Sequence, residues 1–205
     1  MTVLGHPAAA AAEPLRGTTP AVARLSQEAL TRYAGRLVLP SYDRSALVPS
    51  VVHLSVGGFS RAHQLTYFDE IAQRGLSTQW GVVGIGLRNR SLKEALAPQD
   101  HLYTVVERSP DGEQARVVGV MVDYHFAPDD PARVIDVLAD PRTRMVTMTI
   151  TDAGYRLDPH TGAFDPDDDD VRWDLQHPDR PRTVFGFLVE ALDRRRRAGT
   201  PPFTV

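Results

Sequence analysis

Val51-Val52-His53-Leu54-Ser55-Val56-Gly57-Gly58-Phe59-Ser60-Arg61-Ala62-His63-Gln64 is the stretch on which the fold turns. Its first half is a short β-branched run, the residue type that packs well on a pleated surface. Gly57-Gly58 breaks that run, and Arg61 to Arg74 then carries Leu65, Phe68 and Ile71 on one side, the spacing of an amphipathic helix. The reading is strand, glycine turn, helix. Downstream, Gln79 to Leu87 supplies a second β-rich run, Trp80-Gly81-Val82-Val83-Gly84-Ile85-Gly86-Leu87. Apolar side chains on successive residues imply burial on both faces, as in a parallel sheet flanked by helices. Together these elements make a βαβ unit.

Further along, Leu102 to Glu107 and Ala115 to Tyr124 flank Ser109-Pro110-Asp111-Gly112, whose Asp-Gly pair predicts a hairpin. The parallel pattern resumes with a helix near Pro131 to Leu138, a strand from Met145 to Thr151 and a long helix from Thr183 to Arg197. Gly199 is placed to stop that helix, and Phe203-Thr204-Val205 reads as the first residues of another strand. On the amino-terminal side, Ser26 is positioned to cap a helix from Gln27 to Ala34, which leads into extended Leu37-Val38-Leu39-Pro40. Residues 1–24, rich in Ala, Pro, Gly and Thr, have little to bury and are expected to form a flexible arm. Residues 25–205 thus read as α/β, with a mostly parallel sheet, flanking helices and an antiparallel β-hairpin excursion.

Composition narrows the partners. The 205 residues are 42% hydrophobic and 24% charged, enough to bury a core. A formal charge of −3 gives no overall basic surface, so nucleic acid is not expected as a partner. Arg194-Arg195-Arg196-Arg197 reads as an exposed face that complements a helix C-terminus. Without cysteine there is neither a disulfide framework nor a thiolate metal site. No segment has the length and apolarity of a membrane span, and Ala8 to Ala12 lacks the basic start and long apolar core of a secretory signal. A cytoplasmic protein is expected. Asp165, Asp167, Asp168, Asp169 and Asp170 lack the alternating ligands and central glycine of a calcium loop and read as a solvated loop. His125, His160 and His177 show no metal-ligand spacing, and no metal site is assigned.

A strand that runs through glycine into a helix gathers unpaired N–H groups and the positive end of the helix dipole, which suits a pyrophosphate. The dinucleotide fingerprint Gly-x-Gly-x-x-Gly falls on Ser55-Val56-Gly57-Gly58-Phe59-Ser60, with serine at the first and third glycine positions. Gly57 would allow close phosphate approach; equally, Gly57-Gly58 reads as a tight βα turn and nothing more. If position 55 requires positive φ, serine costs on the order of 1 kcal/mol; at negative φ its hydroxyl is free to bond a pyrophosphate. Arg61, in the first helical turn, is placed to reach phosphate, with a surface salt bridge as the alternative. A carboxylate at the end of the second strand normally accepts the ribose 2′-hydroxyl and repels a 2′-phosphate. Here the tip reads Leu87-Arg88-Asn89-Arg90-Ser91, with no carboxylate before Glu94. Arg88 and Arg90 favour NADP locally, or else they are solvated loop charges.

Gly57-Gly58-Phe59-Ser60-Arg61-Ala62-His63-Gln64 resembles the Gly-x-Phe-x-Arg-Ala-His-Gln signature of the long-chain mannitol dehydrogenase family. The resemblance extends to Pro40-Ser41-Tyr42-Asp43-Arg44, Gly84-Ile85-Gly86-Leu87-Arg88, Ala97-Pro98-Gln99-Asp100 and Leu102-Tyr103-Thr104. It continues through Thr149-Ile150-Thr151-Asp152-Ala153-Gly154-Tyr155, Phe185-Gly186-Phe187-Leu188-Val189 and Pro202-Phe203-Thr204-Val205, covering nearly everything after the amino-terminal arm. The family usually has Gly where Ser55 stands and commonly His where Ser60 stands.

The resemblance implies a Rossmann-type NAD(P)-binding domain, here incomplete, of an oxidoreductase interconverting a sugar alcohol or related hydroxy acid with its ketose, usually with NAD. Together with the local readings of Arg61 at the helix start and of Arg88 and Arg90 at the second strand's tip, it gives cofactor-binding positions at Ser55, Gly57, Gly58, Phe59, Arg61, Arg88, Arg90, Thr151 and Asp152. It also implies a largely helical carboxyl-terminal domain bearing lysine, asparagine and histidine catalytic residues, none of which is matched in this chain. No catalytic residue is therefore assigned, and activity of the chain alone is not expected. The implied partners are the dinucleotide and either the missing catalytic domain or a second copy, through the surface that domain would cover. His63 reads as a residue that packs or orients the turn, rather than as a base. The alternatives are a non-catalytic nucleotide-binding or interaction module of the same descent, and another doubly wound domain such as a methyl-donor binder.

Overall fold

The computed structural model describes residues 24–110 and 112–205. Residues 1–23 of the arm expected over 1–24, and Asp111 of the Asp-Gly pair, lie outside the described residues. Strand β1 (Pro49–Leu54) leads through the glycines into a helical segment whose first turn, Ser60–Gln64, is π-helical. The rest is α1 (Leu65–Gln73), and β2 (Gly81–Gly86) follows. Helix α2 (Ser91–Leu96), which the sequence reading passes over, precedes the hairpin β3 (Tyr103–Ser109) and β4 (Gly112–Val118), where Ser109 stands opposite Gly112. Next come β5 (Met121–Phe126), α3 (Pro131–Ala139), β6 (Met145–Met148), α4 (Asp169–Gln176) and α5 (Val184–Arg197).

The main sheet has the order β5-β2-β1-β6, and every neighbouring pair is parallel. Thr204 bridges Met145 in the same direction, beyond β6, as the strand reading of Phe203-Thr204-Val205 expects. The chain therefore builds outward from β1 through β2 to β5, then crosses to the other side of β1. The order reverses at the β1/β6 boundary, and in open parallel sheets ligands bind at the carboxyl ends of the strands beside such a reversal.

Alternate residues of β1 face opposite layers, as strand geometry requires. On one face Val52 and Leu54 join Val83, Ile85 and Val146 under Val134, Ile135 and Leu138 of α3 and Phe187 and Ala191 of α5. Val51 and Val82 pack on the other face with Leu65, Leu96, Tyr103, Val118 and Met121, beneath α1, α2 and the hairpin. Burying one such aliphatic side chain contributes about 1.5–3 kcal/mol, so two filled layers set the sheet's position firmly.

Several expectations are corrected. Ala115 to Tyr124 is two strands, β4 and β5, belonging to different sheets. The break falls at Gly119, whose N–H donates to Asp69 Oδ1 at 2.8 Å, and where a Cβ would come within 2.9 Å of the Pro40 ring. Asp69 is buried in α1 and also accepts from Tyr42 Oη (2.5 Å) and Arg116 Nη2 (2.7 Å), which ties the hairpin to the body. The strand Met145 to Thr151 ends at Met148, because Thr149 and Thr151 turn into the site. The acidic tract is a loop only in part: Asp165 and Asp167 precede α4, Asp168 caps it by accepting the N–H groups of Asp170 and Val171, and Asp169 and Asp170 begin it. Arg195 is buried, unlike its exposed neighbours Arg196 and Arg197, and donates to the carbonyls of Pro201 and Asp140 at 2.7 Å each. Ser26 does accept the Ala29 N–H at 3.2 Å, but only a single 3-10 turn, Leu30–Tyr33, follows.

Candidate functional site

At the carboxyl ends of β1, β2 and β6, facing the amino terminus of α5, lies a cleft of about 790 Å³. Its walls include Ser55 and Val56 after β1, Gly86 to Asn89 after β2, Tyr124 of β5, and Thr149 to Thr151 after β6. The opposite side carries Arg156, Asp170, Trp173 and Arg182 to Val184.

Ser55 adopts a positive φ of 66°. The first fingerprint position therefore does demand the left-handed region, where a side chain costs about 1 kcal/mol. Both peptide groups are held: Ser55 N–H donates to Ile85 O at 2.8 Å, and Ser55 O accepts from Thr149 Oγ1 at 2.8 Å. Gly57 and Gly58 have no positive φ. A Cβ on Gly58 would meet nothing within 4 Å, and one on Gly57 only Ser55 O at 3.9 Å. The fold itself thus has no need of these glycines.

Ser60 is fully buried and staples the turn, accepting the Gly57 N–H at 3.0 Å and donating to Gly57 O at 3.2 Å. The first intrahelical donor is Arg61 N–H, onto Gly57 O at 3.2 Å. The N–H groups of Gly58, Phe59 and Ser60 precede it, with no partner among the described residues, as at any helix start. The π turn closes where Leu65 N–H reaches Ser60 O.

The remaining predicted positions divide. Phe59 is 65% exposed and stacks on His63, with ring centroids 5.0 Å apart; His63 in turn meets Tyr67 edge-on. Of the predicted turn residues only Ser55 lines the cleft; Gly57, Gly58, Phe59 and Arg61 do not, and the Arg61 carbonyl accepts from Tyr103 Oη at 2.9 Å while its guanidinium has no ion pair among the described residues. Arg88 is exposed, lines the cleft and has no side-chain partner among the described residues. Arg90 instead grips both Asp129 oxygens and lies over the Phe126 ring at 5.2 Å, while Lys93 Nζ shares that carboxylate at 2.7 Å. These partners hold Asp129 below the usual carboxylate range. Asn89 accepts from Ser91 N–H and Oγ, which turns the chain into α2. Thr151 lines the cleft; Asp152 is exposed and opens a 3-10 turn, Asp152–Tyr155.

The far wall is fixed by ion pairs. Arg156, at φ 54°, reaches Asp168 at 3.2 Å and Asp170 at 2.7 Å, and Arg182 lies over Trp173 at 3.8 Å. Thr183 Oγ1 caps α5 by accepting Gly186 N–H at 3.0 Å, and Asp174 accepts Thr183 N–H and Oγ1. The sequence reading missed this wall, together with Tyr124, whose hydroxyl occupies the space a Cβ on Gly86 would need.

It also missed a buried polar chain beneath the turn. His53 has no exposed surface; its Nδ1 lies 2.8 Å from Thr147 Oγ1 and its Nε2 3.1 Å from Thr149 Oγ1, and Thr147 Oγ1 is 3.2 Å from the Gln64 side-chain amide. Burial lowers the imidazole from 6.5 to about 4. The available signal was His53 inside the apolar run of β1 and the alternate threonines Thr147 and Thr149 at the end of the later apolar run.

The arrangement fits a dinucleotide. It offers free N–H donors at a helix start, glycines with open space over them, a cleft at the strand reversal and a β2 tip without a carboxylate. Comparison with known proteins agrees. Residues 49–205 match the family model described as the mannitol dehydrogenase Rossmann domain. The chain is 47% identical over 168 residues to mannitol 2-dehydrogenase of Cereibacter sphaeroides, covering 81% of this chain and 35% of that protein. It is 42% identical over 186 residues to polyol:NADP oxidoreductase of Gluconobacter oxydans, covering 88% and 38%. The solved ternary complex of Pseudomonas fluorescens mannitol 2-dehydrogenase with NAD and D-mannitol superposes with a TM-score of 0.83 at 38% identity, over 88% of this chain and 37% of that one. The chain therefore spans little more than a third of the length of these relatives.

Proposed function

Since this chain belongs to the mannitol dehydrogenase family, as its Rossmann domain, we propose that it is the nicotinamide-dinucleotide-binding part of a polyol or sugar-acid oxidoreductase. The observation that carries this reading is the pair Gly57 and Gly58: neither backbone strain nor packing calls for glycine there, and both stand beside free helix-start N–H groups. Small residues at that point leave room for a pyrophosphate to approach the backbone. The binding set is Ser55, Gly57, Gly58, Phe59 and Arg61 at the turn, Arg88 at the β2 tip, and Thr151 and Asp152 after β6, with Arg90 held in reserve by Asp129. A bound nicotinamide supplies the hydride acceptor or donor.

This chain's residues bind and orient. The exposed Gly58 and Phe59 N–H groups, on the turn that continues from the cleft residues Ser55 and Val56, meet the pyrophosphate; Tyr124 and Leu87 wall the cleft, and Arg88 on its rim reads the ribose 2′-substituent. Among the residues lining the cleft, the carboxylate of Asp170 is engaged by Arg156 and Arg182, which leaves it poorly suited to proton transfer. We therefore assign substrate recognition and proton transfer to polypeptide outside these 205 residues, in keeping with the greater length of the relatives. The test is calorimetric titration of the chain with NADH and NADPH, alongside an assay for mannitol-dependent reduction of NAD. Both dinucleotides are expected to saturate, with affinities within about tenfold of each other, and without turnover. A larger preference for NADH overturns the role given to Arg88. Turnover by the chain alone overturns the division of labour.

A further inference from the structure

The buried chain under β1 has a proton order that is fixed from its Ser55 end. Thr149 Oγ1 donates its one proton to Ser55 O at 2.8 Å, so it can only accept from His53, and His53 Nε2 must carry a proton. In the neutral ring Nδ1 is then the acceptor, and Thr147 Oγ1 donates to it at 2.8 Å. Gln64 Oε1, 3.2 Å from the same Thr147 hydroxyl, is the more distant acceptor for that proton. Gln64 sits in the π turn that follows the glycines, and Ser55 precedes them, so the chain joins the two ends of the turn through the strand beneath it. Ser55 is also where the backbone is strained, and nothing about serine favours a left-handed conformation there.

We infer that His53 is a positioning residue for the dinucleotide turn: through Thr149 it fixes the Ser55 carbonyl, and with it the left-handed backbone from which Gly57 and Gly58 are presented. Thr149 is the contact, His53 sets its orientation, and Thr147, which is also within reach of Gln64 Oε1, sets the orientation of His53. The consequence for binding rests on the dinucleotide reading above; the proton order does not.

The experiment uses the full 205-residue chain, its T149V and T149S variants and H53Q. Far-UV circular dichroism reports folding, titration reports NADH affinity, and nitrogen-detected NMR reports the imidazole tautomer and the amide resonances of Ser55 to Gly58. T149V is expected to stay folded, to shift those amides and to lose about tenfold in NADH affinity. T149S should restore both, and the wild-type imidazole should be neutral with its proton on Nε2. H53Q should shift the same amides, although it lies outside the cleft. Wild-type affinity in T149V, failure of T149S to rescue, or a proton on Nδ1 overturns the inference. If the wild type itself does not bind NADH, the dinucleotide reading falls, while the tautomer and the amide shifts still decide the relay.

Discussion

Ser55 and His53 are the two residues whose surroundings pull hardest against their own chemistry. A serine at φ 66° gives up about 1 kcal/mol that a glycine would keep, so Ser55→Gly is expected to raise the thermal midpoint by about 2–4 °C. A scanning-calorimetry midpoint that falls would show that the Ser55 side chain stabilises the turn by some other contact. For His53 the sign follows from burial. The unfolded chain binds a proton near 6.5 and the folded chain only near 4, so between those values the unfolded state holds more protons. The stability contribution is complete above the upper value and declines as pH falls towards the lower one. Urea unfolding at pH 7 and 4.5 should show wild type losing about 2 kcal/mol more than His53→Gln. Equal losses in the two proteins would contradict the buried neutral imidazole.

Among the elements, the glycine turn and the β2 tip make separable predictions. Because a Cβ on Gly57 or Gly58 finds room in the folded chain, Gly57→Ala and Gly58→Ala should fold with unchanged thermal midpoints, yet bind NADH about tenfold more weakly or worse. Binding at wild-type strength would move the pyrophosphate away from this turn. At the β2 tip, Asp129→Asn releases Arg90 and Lys93, and the NADPH-to-NADH affinity ratio should rise severalfold. An unchanged ratio would mean that these cations stay clear of the 2′-position even when freed. The strand, glycine turn and helix were legible because periodicity and β-branched runs report local burial directly. The π turn was not, since Ser60–Gln64 reads like any helix start. Helix α4 was hidden because its acidic residues read as a loop, whereas Asp168 caps the helix and Asp169 and Asp170 in the first turn complement its dipole. The Ala115 to Tyr124 run concealed a change of sheet, because the partners of Gly119, namely Asp69, Pro40 and Tyr42, are remote in sequence.

On the scale of the whole molecule, the strand reversal beside β1 gathers what the sequence kept apart. Ser55 and Arg88, picked out by motif position, both line the cleft. The wall from Arg156 to Thr183 could not be picked out in that way, because its place opposite the turn depends on ion pairs and on the packing of α5. That wall supplies a probe. Trp173 lines the cleft, whereas Trp80 stacks with Phe68 and Arg144 away from it. The most direct test that this cleft holds a nicotinamide dinucleotide is therefore a fluorescence titration of wild type, Trp173→Phe and Trp80→Phe with NADH. Saturable quenching that survives in Trp80→Phe and disappears in Trp173→Phe, with unchanged calorimetric affinity, is the predicted result. Absence of saturable binding by a folded chain, or quenching carried by Trp80, would contradict it.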